Sequence, residues 1–134
     1  MSDWTHVAAI VRIDSLRFDD NEVDDFEKIF GKQLLWESTR EEWDDATDHP
    51  EKYLPMGSEG SLEMSVWTNP DKNCIAAYTV SIFGDLRDHC NPDAIVDWFK
   101  SKVEDGNIFI RQAVITVDSG YFGQRTWTYE EKDE

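Results

Sequence analysis

The chain has little of what marks several specialised protein classes. Its 134 residues include only two cysteines, three histidines and four prolines. The longest uncharged run, residues 73–84, is too short to cross a bilayer as a helix, which takes about 20 apolar residues. The first nine residues contain neither a basic cluster nor a long apolar stretch, so no secretory signal is indicated. We therefore expect a cytoplasmic protein in which Cys74 and Cys90 remain reduced.

Basic residues are also scarce, and this restricts the partners. Thirteen lysines and arginines face 29 aspartates and glutamates, which gives a formal charge of −16. Fourteen of the acids and four of the bases lie between Asp14 and Glu51, so this segment holds ten of the sixteen surplus negative charges. Such a field repels phosphate backbones and anionic lipid and attracts basic protein surfaces. We expect no direct contact with nucleic acid or membrane and favour a basic protein surface as partner.

Aromatic residues, by contrast, are abundant. The chain contains six Trp, seven Phe and four Tyr, and 40% of its residues are apolar. Acidic disordered proteins carry few aromatics, so the high charge belongs to the surface of a folded body. The length is typical of one domain. We predict a single α+β domain over residues 1–129, followed by an acidic tail over residues 130–134.

Short sequence patterns predict the elements of the first half. Alternating apolar residues indicate a strand over residues 5–15. Residues 19–22 read as the acidic start of an amphipathic helix that ends at Gly31. Thr39 and Glu42 have the spacing of a capping box, which predicts a second short helix around Trp43. Residues 50–61 read as a loop because Pro, Gly and Ser recur there.

Sequence patterns in the second half of the chain predict two hairpins and one helix. Residues 62–67 and 74–83 form the first hairpin around a turn at residues 69–73. Asn91, Pro92 and Asp93 begin a helix that Gly106 closes. A second hairpin joins the strands 108–117 and 121–129 across residues 118–120. The order is the ferredoxin-like β-α-β-β-α-β unit with an extra C-terminal strand, which predicts an antiparallel sheet with its helices on one face.

One face of this predicted sheet is too apolar to meet water. It carries His6, Ile10, Trp67, Thr79 and Phe83. A sheet covered by helices on one side leaves its other side open, and a large exposed apolar patch marks an interaction site. We expect a cover from residues 32–60, from the last strand or from another chain.

Signals for catalysis or metal binding are weak. Asp85, Asp88, His89 and Cys90 offer ligand types that suit a divalent metal, but their spacing matches no standard zinc signature. Residues 55–61 form a Gly and Ser loop without the lysine and following helix of a phosphate-binding loop. We predict no catalytic residue, no cofactor and no metal.

The acidic segment supplies the predicted partner-binding residues. Carboxylates spaced along a helix and an adjoining loop can imitate a phosphate track, because a basic groove responds to charge and spacing. We predict a non-enzymatic acidic binding protein that docks on a basic protein surface, a nucleic-acid-mimicking inhibitor of the kind used by phages and mobile elements. The predicted binding residues are Asp19, Asp20, Asp24, Asp25, Trp36, Glu41, Glu42, Trp43, Asp44 and Asp45.

Several alternatives remain open at this point. The acids could serve solubility alone. Trp36 and Trp43 fit either an interface or a cover for the sheet. A small enzyme or ligand-binding domain would use the open face, with His6, Arg12 and Arg111 as convergent polar groups. A homo-oligomer would pack its open faces together.

Overall fold

The chain folds into an antiparallel sheet accompanied by three α-helices. A computed structural model describes residues 4–16, 22–35, 37–68, 75–88, 91–105, 110–120 and 122–130. The strands are β1 (Trp4–Leu16), β2 (Met56–Gly57), β3 (Gly60–Ser61), β4 (Glu63–Thr68), β5 (Ile75–Arg87), β6 (Ile110–Ser119) and β7 (Gly123–Glu130). The α-helices are α1 (Glu22–Phe30), α2 (Arg40–Asp48) and α3 (Pro92–Asp105), with a 3₁₀ turn at Pro50–Lys52.

The main sheet has five strands in the spatial order β4-β5-β1-β6-β7, and every neighbouring pair is antiparallel. β1 is central and pairs with β5 along its whole length. The α+β class with an antiparallel sheet is therefore confirmed. Within the described ranges, none of the helices has the length and apolar character needed to cross a membrane.

The element boundaries agree with the sequence patterns except where strands continue through polar residues. β1 extends one residue beyond its predicted range at each end, and α2 is the predicted short helix around Trp43. β6 runs two residues further than predicted, because Asp118 pairs with His6 on one side and with Gln124 on the other. The predicted loop at residues 50–61 contains the 3₁₀ turn and the two-residue hairpin β2–β3.

The main core lies on one face of the sheet. Phe26 of α1 meets Tyr78 of β5 edge to face at 5.4 Å between ring centroids, and Phe99 of α3 meets Trp127 of β7 at 6.0 Å. Both helical phenylalanines are fully buried in one cluster with alternate residues of the sheet. The strand members of that cluster are Val7, Ala9, Val11, Ile13, Tyr78, Val80, Ile82, Leu86, Ile110, Ala113, Ile115 and Val117.

Residues 32–62 lie along the outer edge of β4. The Gln33 side-chain oxygen accepts a hydrogen bond from the Met64 N–H, and the Pro55 carbonyl accepts one from the Leu62 N–H. Because β5 occupies the other side of β4, the Gln33 bond pairs one N–H of the edge that the sheet leaves free, and the Pro55 bond lies just before that strand. The expectation that residues 32–60 cover the open face is wrong, since Trp67 on that face remains 55% exposed. The last strand extends the sheet instead of covering it.

Candidate functional site

The acidic helix α2 is fixed at both ends, although it has only nine residues. The Glu42 N–H donates to Thr39 Oγ1 at 3.2 Å, and the Thr39 hydroxyl donates to Glu42 Oε1 at 3.3 Å. Glu41 and Glu42 place negative charge in the first turn, where the helix dipole favours it. The His49 N–H donates to the Asp45 carbonyl at 2.7 Å and closes the last turn. The predicted N-cap is therefore present, but the Glu42 carboxylate accepts from the Thr39 hydroxyl and not from the Thr39 N–H that a complete capping box would use.

The inner side of α2 belongs to a small second cluster. Ala46 is buried there with Leu34 and Tyr53, and Trp43 packs against them half-buried. The Tyr53 hydroxyl donates to Asp45 Oδ2 at 2.7 Å. This hydrogen bond lowers the pKa of Asp45 and raises the pKa of Tyr53 to about 12. Aromatic packing and a charge-assisted hydrogen bond together hold the helix in one orientation.

The outer side of α2 presents a row of carboxylates. Glu41, Asp44 and Asp48 are exposed and lie within one narrow arc, opposite Ala46, because a helix turns once in about 3.6 residues. Among the residues that the structure describes, no cation forms a salt bridge with any of the three. Their spacing covers about 10 Å along the axis, at about 1.5 Å per residue. This row, Glu41, Asp44 and Asp48, is termed the acidic row below.

The predicted binding residues fall into different structural roles. Glu41 and Asp44 point outward. Glu42 takes part in the helix cap, and Asp45 is held by Tyr53. Trp43 anchors α2 to its own cluster, so it is not a free interface aromatic. The remaining predicted sites, Asp19, Asp20 and Trp36, lie outside the described residues, as do the side chains of Asp24 and Asp25 in α1.

Asp48 is a member of the acidic row that the sequence analysis did not select. Its spacing of four residues from Asp44 and seven from Glu41 would have found it, because residues at these intervals share one helix face.

The second candidate surface is the open face of the sheet. His6 Nδ1 lies 2.6 Å from Asp85 Oδ1, and this hydrogen bond raises the pKa of His6. Arg111 Nη1 lies 3.0 Å from Asp14 Oδ2, and Arg12 Nε lies 3.9 Å from Asp14 Oδ1. Each of these two polar clusters on the face thus pairs a basic side chain with a carboxylate.

The predicted convergence of His6, Arg12 and Arg111 is only partly present. Arg12 and Arg111 meet at Asp14, where a bulge in the β1–β6 ladder brings Arg111 beside β1. His6 is six residues before Arg12 on the same strand, about 20 Å away at about 3.3 Å per residue. Three groups so separated cannot bind one small substrate.

A shallow groove of about 430 Å³ crosses the open face near Arg12. Ile10, Val114, Thr128, Gln112 and Glu130 are among its lining residues. The Arg12 and Arg111 guanidinium groups both lie within 4 Å of Asp14, and Glu130 also lines the groove, so the formal charges of these four residues cancel.

The metal hypothesis concerns residues only partly described. Within the described ranges, no three His, Cys, Asp or Glu side chains are grouped so that they could hold a metal ion. His89 and Cys90 lie outside these ranges. Asp85 is engaged with His6, and the Asp88 carboxylate accepts a hydrogen bond from Ser58 at 3.2 Å.

Comparison with known proteins gives no family model that matches the chain and no significant match among curated proteins or solved structures.

Proposed function

We propose that the protein is a non-enzymatic binding protein that docks its acidic row on a basic surface of another protein. The observation that supports this most directly is the row itself: three exposed carboxylates on one helix face, none of them in a salt bridge with a described cation. Carboxylates that already formed salt bridges would gain little from a basic partner. Those of the acidic row can exchange water for arginine or lysine, and such charge-assisted hydrogen bonds are the stronger kind.

The spacing of the row suits a site that binds nucleic acid. Successive phosphates of one DNA strand advance about 3.4 Å along the helix axis, so four phosphates span about 10 Å from the first to the last. The acidic row places three carboxylates over the same length. We propose that the partner is a nucleic-acid-binding protein and that the chain acts on it as an inhibitor by occupying its basic groove, as mimics from phages and mobile elements do. We propose that this inhibition takes place in the cytoplasm.

Rigidity supports the same proposal. A mimic must hold its charges before the partner arrives, because each side chain or loop that is ordered on binding reduces the affinity. The capping of α2 by Thr39, its contact with Tyr53 and the attachment of residues 32–62 to β4 fix the helix in the free protein.

We also propose that the fold is the ferredoxin-like arrangement with one added strand. The spatial order β4-β5-β1-β6 is the order expected for a β-α-β-β-α-β unit, and β7 continues it past β6. Phe26 and Phe99 lie in the same buried cluster, which supports helices on one face.

Charge reversal at matched positions tests the proposed function. We would capture and identify the partner with the parent chain, then compare Glu41→Lys/Asp44→Lys with Asp97→Lys/Glu104→Lys on α3. All four residues are exposed helical acids, so both double variants change the net charge equally. We expect the α2 variant to lose binding, mainly through a faster off-rate, and the α3 variant to show a slower, salt-sensitive on-rate. Equal affinities for the two variants would show that only the overall charge matters and would refute a local docking face.

A further inference from the structure

The open sheet face has the composition of a protein interface. Seven large apolar side chains are exposed among the described residues, and five of them share this face. They are Trp4 and Ile10 of β1, Trp67 of β4, Phe83 of β5 and Val114 of β6. This patch is distinct from the acidic row, and the proposed function does not use it.

The register of strand pairing places uncharged residues at the centre of the face. One row across all five strands contains no charge: Ser65, Ser81, Ile10, Val114 and Thr128. The next row has one charge, at the sheet edge: Glu63, Phe83, Ala8, Thr116 and Thr126. The row on the other side of the uncharged one contains Arg12 and Glu130 together with Trp67, Thr79 and Gln112. The His6–Asp85 pair lies toward the start of β1. An uncharged centre within a charged border matches the anatomy of an interface, whose core is depleted in charged residues.

The breadth of the patch excludes a small molecule as its main occupant. The five apolar side chains are spread over four strands, which are about 4.8 Å apart. The groove of about 430 Å³ touches only Ile10 and Val114 of the five. A ligand of that size would leave both tryptophans and Phe83 in water.

The charge of the face argues for a second copy of the chain. Its described positions carry five carboxylates (Asp14, Glu63, Asp85, Asp118 and Glu130) and three guanidinium groups (Arg12, Arg87 and Arg111). With His6 neutral, the described residues of this face carry a net charge of −2. The rest of the chain therefore carries −14 of the total formal charge of −16. Two copies repel each other across most of their surface, and this face minimises that repulsion. A basic partner would instead be drawn to the acidic row.

The area of the face is sufficient for a stable dimer. About 20 outward positions, each covering about 4.8 Å by about 6.7 Å, make about 650 Å² on one copy. Two such faces bury about 1,300 Å² in flat projection, within the range of specific interfaces, about 1,200–2,000 Å². Because the tryptophan and phenylalanine side chains protrude from the face, the accessible surface area that is buried exceeds this flat projection.

We propose that two copies of the chain pack their open sheet faces together around a two-fold axis. Residues Ile10, Trp67, Phe83 and Val114 form the buried part of this interface. The core-side surfaces, with their helices, then lie on the outside of the dimer, as in a sandwich of two sheets. Each dimer carries two acidic rows.

Sedimentation equilibrium of the full chain tests the proposal. We expect a mass of twice 15.6 kDa at micromolar concentration, and a dissociation constant that falls when added salt screens the repulsion between copies. Ile10→Glu and Val114→Glu each bury a carboxylate twice in a symmetric interface, so each should weaken association by at least about a hundredfold. A Phe122→Glu variant is the control, because Phe122 is 54% exposed and lies beside Pro92 of α3 instead of on the open face. It should remain dimeric.

Circular dichroism distinguishes dissociation from unfolding, since both test residues are exposed in the single chain and their variants should keep the parent spectrum. A parent that is monomeric throughout the micromolar range would overturn the proposal. A dimer that survives both substitutions would also overturn it, and would point to pairing through the β7 edge.

Discussion

Gly31 allows a sharp test of how the chain positions its acidic helix. It follows α1, is buried, and has a φ of +128°, a backbone conformation that glycine alone adopts readily. A Cβ at this position would lie 2.5 Å from the Tyr53 carbonyl carbon and 2.6 Å from the Leu54 nitrogen. Both neighbours are backbone atoms, held by the Leu54 N–H to Lys32 carbonyl bond at 2.9 Å, so they cannot turn aside as a side chain would.

The cost of Gly31→Ala can be estimated from two contributions. Backbone strain in a conformation reserved for glycine costs about 1–3 kcal/mol. Displacing a packed backbone to admit a methyl group costs about 1–3 kcal/mol more. We therefore expect the free energy of unfolding to fall by about 4 kcal/mol. A protein of this length has about 7–20 kcal/mol in total, so the variant should still fold.

Gly123→Ala is the matched control. Gly123 also has a positive φ, +76°, but a Cβ there would meet nothing within 4 Å. Only the strain remains, about 1–2 kcal/mol. Urea unfolding followed by tryptophan fluorescence should show a larger loss for Gly31→Ala by about 2–3 kcal/mol, with similar m-values. Equal losses for the two variants would refute the close approach of α1 to residues 53 and 54.

Three other predictions concern α2 and the overall charge. Thr39→Ala should lower the free energy of unfolding by about 1 kcal/mol in urea, while Thr39→Ser keeps most of it, because the hydroxyl caps the helix. Tyr53→Phe should be less stable than the parent at neutral pH, because it loses the hydrogen bond to Asp45. That hydrogen bond lowers the pKa of Asp45 in the folded protein. Its stabilising effect is therefore present above the ordinary pKa of 3.8 and is lost as the pH falls through the folded value. A gap between the two melting temperatures that persists in strong acid would contradict this role of Asp45. The melting temperature of the parent should rise as sodium chloride approaches physiological concentration, because salt screens repulsion within a chain of charge −16, and a steady fall would mean that the acids are mostly paired.

Local patterns in the sequence determine the elements and their exposed faces. The alternation of residues 5–15 predicts β1 and also which of its residues are buried, because side chains on a strand point to opposite faces in turn. Thr39 and Glu42 mark the start of α2 because a cap involves neighbours three residues apart. The apolar outer face of the sheet is equally readable, since Ile10, Trp67 and Phe83 lie out of phase with the core residues of their strands.

Tertiary structure alone decides which distant residues meet. Asp14 binds Arg111 across 97 residues of sequence, and His6 binds Asp85 across 79, because the order and register of the strands bring them together. Trp43 becomes an anchor of α2 only because residues 32–62 fold back along β4 and place Tyr53 beside it. The physical reason is one of range: periodicity, caps and turns depend on neighbours within a few residues, whereas register and edge coverage depend on the competition between all the segments that could pair.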